Sequence, residues 1–229
     1  DDPGTKRVLT DTSTTSSPQP STPSTATTIP PTTIPVSGPP SYLWPFDNAV
    51  MYNTPIALAN AFARDFIGMP DPHLGTYRAG DNTSGEIDVL PYETGGPKTM
   101  LTVRQDTNGW HVVDARTDNL ELDTPGHDDR ISSPVHLTGR SIAYEGTVRI
   151  AVLRYGTTMR CVQPTDSCGS DHGVLANTFF TGHGSEKSPF ATDVAFNQSS
   201  TKYGLVVLFT ESARDGTIAE ATVRLVRFS

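Results

Sequence analysis

Residues 205–209 read Leu-Val-Val-Leu-Phe, a fully apolar run of strand length, and this stretch decides the class of fold. Residues 147–154 read Thr-Val-Arg-Ile-Ala-Val-Leu-Arg, and their alternation places Val148, Ile150 and Val152 on one face of a second strand. Strands that recur every 10–20 residues or so, with glycine-rich turns between them, predict a β-sandwich. The sandwich is expected over residues 131–229, with further strands at residues 135–137, 174–176, 178–180, 190–196 and 221–228.

The preceding segment combines one helix with strands. Thr54 is a suitable N-cap, Pro55 suits the first helical position and Gly68 is a stop signal, so a helix is predicted over residues 54–67. Alternating segments and an Asn-Gly hairpin signal predict an antiparallel sheet beside it, which makes residues 41–122 a small α+β domain. Strands are predicted at residues 86–90, 99–104 and 110–115, a hairpin turn at residues 106–109, and a linker to the sandwich at residues 123–130.

Ser, Thr and Pro occupy 26 of the first 40 positions. Such a segment cannot bury enough apolar area to offset the entropy lost on ordering, so residues 1–40 are predicted to be a disordered stalk. The stalk also explains much of the low hydrophobic fraction of the chain, 35%. The chain begins at Asp1 without Met, and we expect a trimmed form that lacks an N-terminal membrane anchor, either a transmembrane helix or a lipidated cysteine. The expected location is therefore extracytoplasmic, at the cell surface.

The net charge of the chain is −8, and residues 41–125 carry most of it. An acidic balance argues against nucleic-acid binding, which needs clustered Lys and Arg to neutralise phosphates. It also argues against docking to anionic lipid head groups, so contact with a membrane is expected only through the missing anchor. The acidic surface is otherwise expected to keep the domain soluble.

The chain has two cysteines, Cys161 and Cys168, in a polar loop. An even count in such a loop predicts a disulfide in an oxidising compartment. Closing this loop of eight residues would stabilise the fold by about 2.5 kcal/mol in the chain-entropy model. Two free thiols are a second interpretation. Zinc is a third, because His172 and His183 follow, although their spacing does not match a zinc finger.

Five short motifs carry a resemblance to a known family. They are residues 131–139 (Ile-Ser-Ser-Pro-Val-His-Leu-Thr-Gly), 143–148 (Ala-Tyr-Glu-Gly-Thr-Val), 188–190 (Ser-Pro-Phe), 203–208 (Tyr-Gly-Leu-Val-Val-Leu) and 211–216 (Glu-Ser-Ala-Arg-Asp-Gly). Together they resemble the immunoglobulin-like domain of bacterial spore-germination proteins. The pair of cysteines lies in an insertion that departs from that pattern.

The segment before the linker is similar, more loosely, to a partner domain found in actinobacterial envelope proteins. The matching stretches are residues 61–68, 80–81, 84–87 and 110–115. The resemblance implies an accessory or binding module of the cell envelope and no reaction. The expected function is therefore non-catalytic binding of another envelope protein or of a cell-wall glycan, without a cofactor or a metal ion.

Candidate binding residues are aromatic or acidic. Tyr42 and Trp44 belong to a short aromatic run that follows the stalk, Asp81 and Glu86 lie in a carboxylate-rich stretch, and Glu145 belongs to a family motif. Packing of the aromatics at a domain edge and a structural role of Glu145 at a turn are the competing interpretations.

An enzyme is the alternative function. A helix on a curved sheet can enclose a cone that in some enzymes holds an Asp–His pair, and His111 and Asp114 are the candidates in this chain. A hydrolase or a dehydratase would be expected. A cone filled by apolar side chains would remove this alternative, and the side chains expected there are Phe62, Phe66, Met100 and Trp110.

Overall fold

The computed structural model describes residues 40–143, 146–163, 168 and 172–229. These residues lie within one compact unit, built mainly of antiparallel strands with one helical segment. The strands are β1 (His73–Leu74), β2 (Arg78–Ala79), β3 (Ser84–Leu90), β4 (Thr99–Asp106), β5 (Gly109–Arg116), β6 (Leu120–Thr124), β7 (Asp129–Ile131), β8 (Val135–Ser141), β9 (Thr147–Arg154), β10 (Val174–Thr181), β11 (Ser188–Val194), β12 (Tyr203–Glu211) and β13 (Ile218–Phe228).

The helical segment consists of α1 (Pro55–Ala61) and a π-helical stretch that continues it (Phe62–Ile67). Oγ1 of Thr54 accepts a hydrogen bond from the backbone N–H of Ala57 at 3.1 Å, which caps the first turn. Gly68 ends the segment in the left-handed conformation with φ of 92°. The predicted start and end are confirmed, whereas the π-helical stretch has no signal in the sequence pattern. The described part of the chain contains no helix long and apolar enough to cross a lipid bilayer.

The larger sheet has ten strands, and its main order is β1-β3-β4-β5-β13-β12-β9-β10. Strand β2 pairs with β3, and β7 pairs with β13 in the parallel direction. The three strands predicted in the first half of the chain are confirmed as β3, β4 and β5. In the hairpin between β4 and β5, Asp106 pairs with Gly109, so the turn residues are Thr107 and Asn108.

The smaller sheet has three strands in the order β11-β8-β6 and covers part of one face of the larger sheet, which confirms the predicted β-sandwich. Its central strand, β8, contains Gly139, where the neighbouring strands approach closely. A Cβ atom on Gly139 would lie 2.0 Å from the carbonyl oxygen of Glu121 on β6 and 2.8 Å from the ring of Phe190 on β11. Only glycine fits between these neighbours.

The apolar run in β12 serves two hydrophobic cores. Leu205, Val207 and Phe209 belong to the core between the larger sheet and the helical segment. Val206 and Leu208 belong to the core between the two sheets. The strand therefore lies in the middle layer of a three-layer arrangement, and this position explains why the run is apolar on both faces.

The larger sheet continues across the boundary that the sequence suggests. Strand β13 pairs with β5 through Val223 and Ala115, and so connects the two halves of the sheet. Strand β6 begins within the predicted first domain but pairs with β8 in the smaller sheet. The predicted linker, residues 123–130, contains the end of β6 and the start of β7. The domain boundaries stay a prediction, and the predicted stalk lies outside the described residues except for Pro40.

Cys161 and Cys168 form a disulfide with an S–S distance of 2.07 Å, as predicted. Cys161 lies in a 3₁₀ turn (Met159–Val162) after β9. A zinc site would need these sulfurs as thiolates, so the disulfide replaces that interpretation. A disulfide is typical of an oxidising, extracytoplasmic environment.

Candidate binding site

A cavity of about 710 Å³ lies where three central strands end. The start of β9, the end of β12 and the start of β13 meet there, because antiparallel pairing places Arg149 opposite Phe209 and Thr210 opposite Glu220. The loop after β3 and the turn between β12 and β13 form its walls. Its polar and charged lining includes Tyr92, Asn119, Arg149, Glu211, Arg214 and Glu220.

Glu220 is the buried carboxylate of the cavity, with 2% of its surface exposed. Three side chains donate hydrogen bonds to it: the hydroxyl of Thr117, the hydroxyl of Thr210 at 3.1 Å and the amide of Asn119 at 3.1 Å. Burial raises the pKa of Glu220, and these hydrogen bonds act in the opposite direction without reversing the shift. The arrangement fixes this carboxylate in the lining of the cavity.

Arg149 brings hydrogen-bond donors to the same cavity. One terminal nitrogen of its guanidinium lies 3.3 Å from Oε2 of Glu211, and the other donates to Oδ1 of Asn177 at 3.2 Å. The guanidinium also lies 5.8 Å from the centre of the Phe209 ring. Its Nε is buried and has no hydrogen-bond partner among the described residues.

Tyr92 lies at the outer wall of the cavity. Its hydroxyl is hydrogen-bonded to the hydroxyl of Ser212, and the guanidinium of Arg214 lies 5.5 Å from the centre of its ring. These contacts join the loop after β3 to the turn between β12 and β13. The cavity therefore combines an aromatic ring with fixed donors and acceptors, the mixture found in pockets for small ligands.

The predicted pair of His111 and Asp114 is not brought together as a site. Nε2 of the buried His111 lies 2.9 Å from Oδ1 of Asp106, whereas Asp114 pairs with Arg116 at 3.2 Å. Neither residue lines the cavity. Three of the four side chains expected in the cone, Phe62, Phe66 and Trp110, are buried in the core against the helical segment. The fourth, Met100, lies outside this core, and its Sδ atom is 3.4 Å from a guanidinium nitrogen of Arg78.

The predicted aromatic residues pack against β5 and the helical segment. The ring of Tyr42 stacks on His111 with 4.2 Å between centroids. Trp44 forms a bridge with Val112 on β5, and its ring contacts Phe46 and Phe66. These contacts fit the structural interpretation, in which the run attaches the start of the folded part to the sheet.

The predicted acidic residues have local partners. Oδ1 of Asp81 accepts the backbone N–H of Thr83 at 2.7 Å, and Glu86 pairs with Arg116 at 3.0 Å. Glu145 lies outside the described residues. Within the described ranges, no group of three or more His, Cys, Asp and Glu side chains is arranged to hold a metal ion.

Sequence reasoning missed the residues of the cavity. Glu220 comes one position before the predicted strand at residues 221–228, so it was not assigned to the strand. Its signal is a single carboxylate between two alanines in a segment that the structure buries on both faces. The other lining residues come from distant stretches, and no local pattern joins them. No family model, curated protein or solved structure matches this chain.

Proposed function

We propose that this chain is a non-catalytic, extracytoplasmic protein of the cell envelope that binds a cell-wall glycan in the cavity at the end of β9, β12 and β13. The observation that carries the proposal is the cavity of about 710 Å³, whose lining combines the guanidinium of Arg149, the carboxylate of Glu211 and the ring of Tyr92. Sugar hydroxyls both donate and accept hydrogen bonds, so a glycan can satisfy a donor and an acceptor in one cavity.

The hydrogen bonding of the two carboxylates supports binding rather than catalysis. Glu220 accepts from three side chains, and Glu211 is paired with Arg149. A general acid or base needs a free position for the proton that it transfers. Glu220 is thereby fixed by protein groups, whereas the side chain of Glu211 is about one-third exposed and keeps surface at which it can accept a hydrogen bond from a ligand.

The disulfide and the composition support the proposed location. A disulfide is typical of an oxidising compartment, and the Ser/Thr/Pro-rich residues 1–40 suit an extended stalk that holds the folded part away from a surface. We propose that this stalk leads to a membrane anchor, either a transmembrane helix or a lipid. The sequence of the full-length gene tests this part of the proposal.

The finer description of the fold is also a proposal. We assign residues 41–122 to an α+β unit and residues 131–229 to an immunoglobulin-like domain similar to that of spore-germination proteins. The close fit of Gly139 between two strands supports the assignment, because that glycine belongs to one of the family motifs. An experimental structure with a topology unlike an immunoglobulin domain over residues 131–229 would refute it.

Binding of N-acetylglucosamine oligosaccharides, measured by isothermal titration calorimetry, tests the proposed function. The variant Glu211→Gln removes a charge of the cavity lining and should weaken binding by about fivefold or more, as expected for a charged hydrogen bond. The matched control is Glu121→Gln, since Glu121 pairs with Lys187 outside the cavity lining. Absence of binding by the unmodified protein, or an equal loss in both variants, contradicts glycan binding in this cavity.

Glycan hydrolysis is a second candidate, and one observation favours it. Glu211 and Glu220 line the same cavity, and the pKa of Glu220 is raised, as in an acid catalyst. Incubation with the same oligosaccharides, followed by a measurement of new reducing ends, separates the two candidates. Release of reducing ends that Glu220→Gln abolishes would establish the enzyme.

A further inference from the structure

Strand β10 forms one edge of the larger sheet and pairs only with β9 among the described strands. The start of this edge is covered, because the backbone N–H of Asn197 donates to the carbonyl oxygen of Leu175 at 3.0 Å. Along residues 177–181, which we call the open edge, no other described segment forms a backbone hydrogen bond with the strand. Such a row of backbone donors and acceptors is a template for a further strand.

The other sheet edges of the described structure are protected, whereas the open edge is not. Strands β1, β2 and β7 have only two or three residues each. Strand β6 carries Glu121 and Asp123, and β11 carries Pro189 and Asp193. Short length, charges and proline are the usual means of preventing edge-to-edge pairing. Strand β10 has eight residues without a charge, a proline or a glycine, so it lacks these means.

An exposed aromatic side chain lies in the middle of the open edge. Phe179 exposes 64% of its surface, the largest fraction among the exposed large hydrophobic residues of the described chain. Its neighbour Phe180 instead stacks on Phe190 with 4.6 Å between centroids and packs against the core between the two sheets. A partner that pairs with the open edge would therefore also bury apolar surface of Phe179.

We propose that the open edge pairs in the antiparallel direction with β10 of a second copy of this chain, so that the larger sheet continues across a twofold axis. A twofold axis needs only one surface, because both copies contribute the same strand, and the assembly closes at two copies. Residues 126–229 carry ten basic and ten acidic side chains, a net charge of zero, so this half of the chain can approach its copy without the repulsion expected of the acidic half.

The register follows from the position of Phe179. Pairing centred on this residue places its ring opposite the same ring of the second copy, and Asn177 opposite Thr181. Side chains directly opposite each other in an antiparallel pair have Cβ atoms about 4.5–5.5 Å apart, close enough for two aromatic rings to contact. Because β10 has no charged residue, the pairing places no like charges opposite each other.

Sedimentation equilibrium of the full chain over a range of concentrations tests the pairing, and a reversible dimer is expected. Phe179→Lys should weaken the dimer at least about tenfold, because it removes the aromatic pair and places two like charges opposite each other. The matched control is Ile56→Lys, which also replaces an exposed apolar side chain but lies in α1. This control should leave the dissociation constant of the dimer unchanged.

Cross-linking tests the register. The two native cysteines are joined in the disulfide, so Phe179→Cys introduces the only free thiol of the chain. Mild oxidation should link two copies, because directly opposite residues have Cα atoms about 4.5–5.5 Å apart, within the range that a disulfide spans. Ile56→Cys should give no linked dimer under the same conditions.

The outcomes decide the proposal. A monomer at every concentration overturns it and leaves the open edge to a strand of another protein. A dimer that Phe179→Lys weakens no more than Ile56→Lys does, or equal cross-linking of the two cysteine variants, overturns it as well. A dimer that Phe179→Lys weakens but that Phe179→Cys does not link overturns the register centred on Phe179.

Discussion

Replacement of Glu220 by Ala is expected to destabilise the protein even though it removes a buried charge. The hydroxyls of Thr117 and Thr210 are buried, and both donate to this carboxylate. Each buried polar group left without a partner costs about 1–3 kcal/mol, so the two hydroxyls together predict a loss of about 2 kcal/mol or more. The amide of Asn119 is only half-buried and can bond to water instead.

The loss should depend on pH in a defined direction. Because the pKa of Glu220 in the folded protein lies above its ordinary value of 4.5, the folded state favours the protonated carboxyl. The stabilisation from this shift is fully present below pH 4.5 and is lost as the pH rises through the raised pKa. The difference in the free energy of unfolding between the unmodified protein and Glu220→Ala should therefore be larger at pH 4 than at pH 8.

Guanidinium denaturation of both proteins at several pH values measures this difference in the free energy of unfolding. The other titrating groups are the same in both proteins, so their contributions cancel in the difference. The matched control is Glu211→Ala, which removes a carboxylate about one-third exposed from the same cavity. It should cost less than about 1 kcal/mol, as partly exposed ion pairs do. A Glu220→Ala protein as stable as the unmodified one, or a difference that grows as the pH rises, would refute the reasoning.

Three further predictions concern the fold. Gly139→Ala should lower the free energy of unfolding by about 1–3 kcal/mol through steric overlap in the smaller sheet. The control is Gly80→Ala, because a Cβ atom on Gly80 would lie 3.6 Å from its nearest neighbouring atom. This control should change the free energy of unfolding by less than about 0.5 kcal/mol in the same denaturation assay. The double replacement Cys161→Ser and Cys168→Ser should lower the free energy of unfolding by about 2.5 kcal/mol. Chemical reduction of the unmodified protein should lower it by a similar amount. An unchanged free energy of unfolding in both experiments would contradict a stabilising disulfide. Asp88→Asn should cost less than about 1 kcal/mol at neutral pH, because this side chain is paired with two partly exposed cations. The hydrogen bond from Arg78 lowers the pKa of Asp88. The loss of stability in Asp88→Asn should therefore fade as the pH falls through this lowered pKa. A loss that persists at pH 2 would contradict the ion-pair explanation.

Local signals predicted the elements of the fold well. The cap at Thr54, the stop at Gly68 and the alternation in residues 147–154 depend on neighbours within a few positions, and each is confirmed. Strand partners depend on contacts between distant residues, and these were not predictable. Strand β6 follows directly on β5 in the chain, yet its partner β8 lies in the other sheet. Alternation identifies a strand but does not identify the strand beside it.

The candidate site was harder to predict than the fold. Aromatic and acidic residues attract notice in a sequence, and Tyr42, Trp44 and Glu86 are used in packing or in ion pairs on the surface. In the sequence Arg149 simply alternates with the apolar residues of a strand, and its significance depends on the cavity that distant strands complete. Polar residues that meet at strand ends share no spacing in the chain, so a single sequence cannot group them.

The cavity requires both predicted parts of the chain, and this dependence limits how they can function. Glu220 belongs to the C-terminal range, but two of its three donors, Thr117 and Asn119, belong to the N-terminal one. Tyr92, a lining residue of the cavity from the N-terminal range, is hydrogen-bonded to Ser212 in the turn that follows β12. Any movement between the two ranges would break hydrogen bonds to a buried carboxylate, which is costly when no other donor replaces them. The two ranges should therefore act as one rigid binding unit, with ligand recognition at their junction.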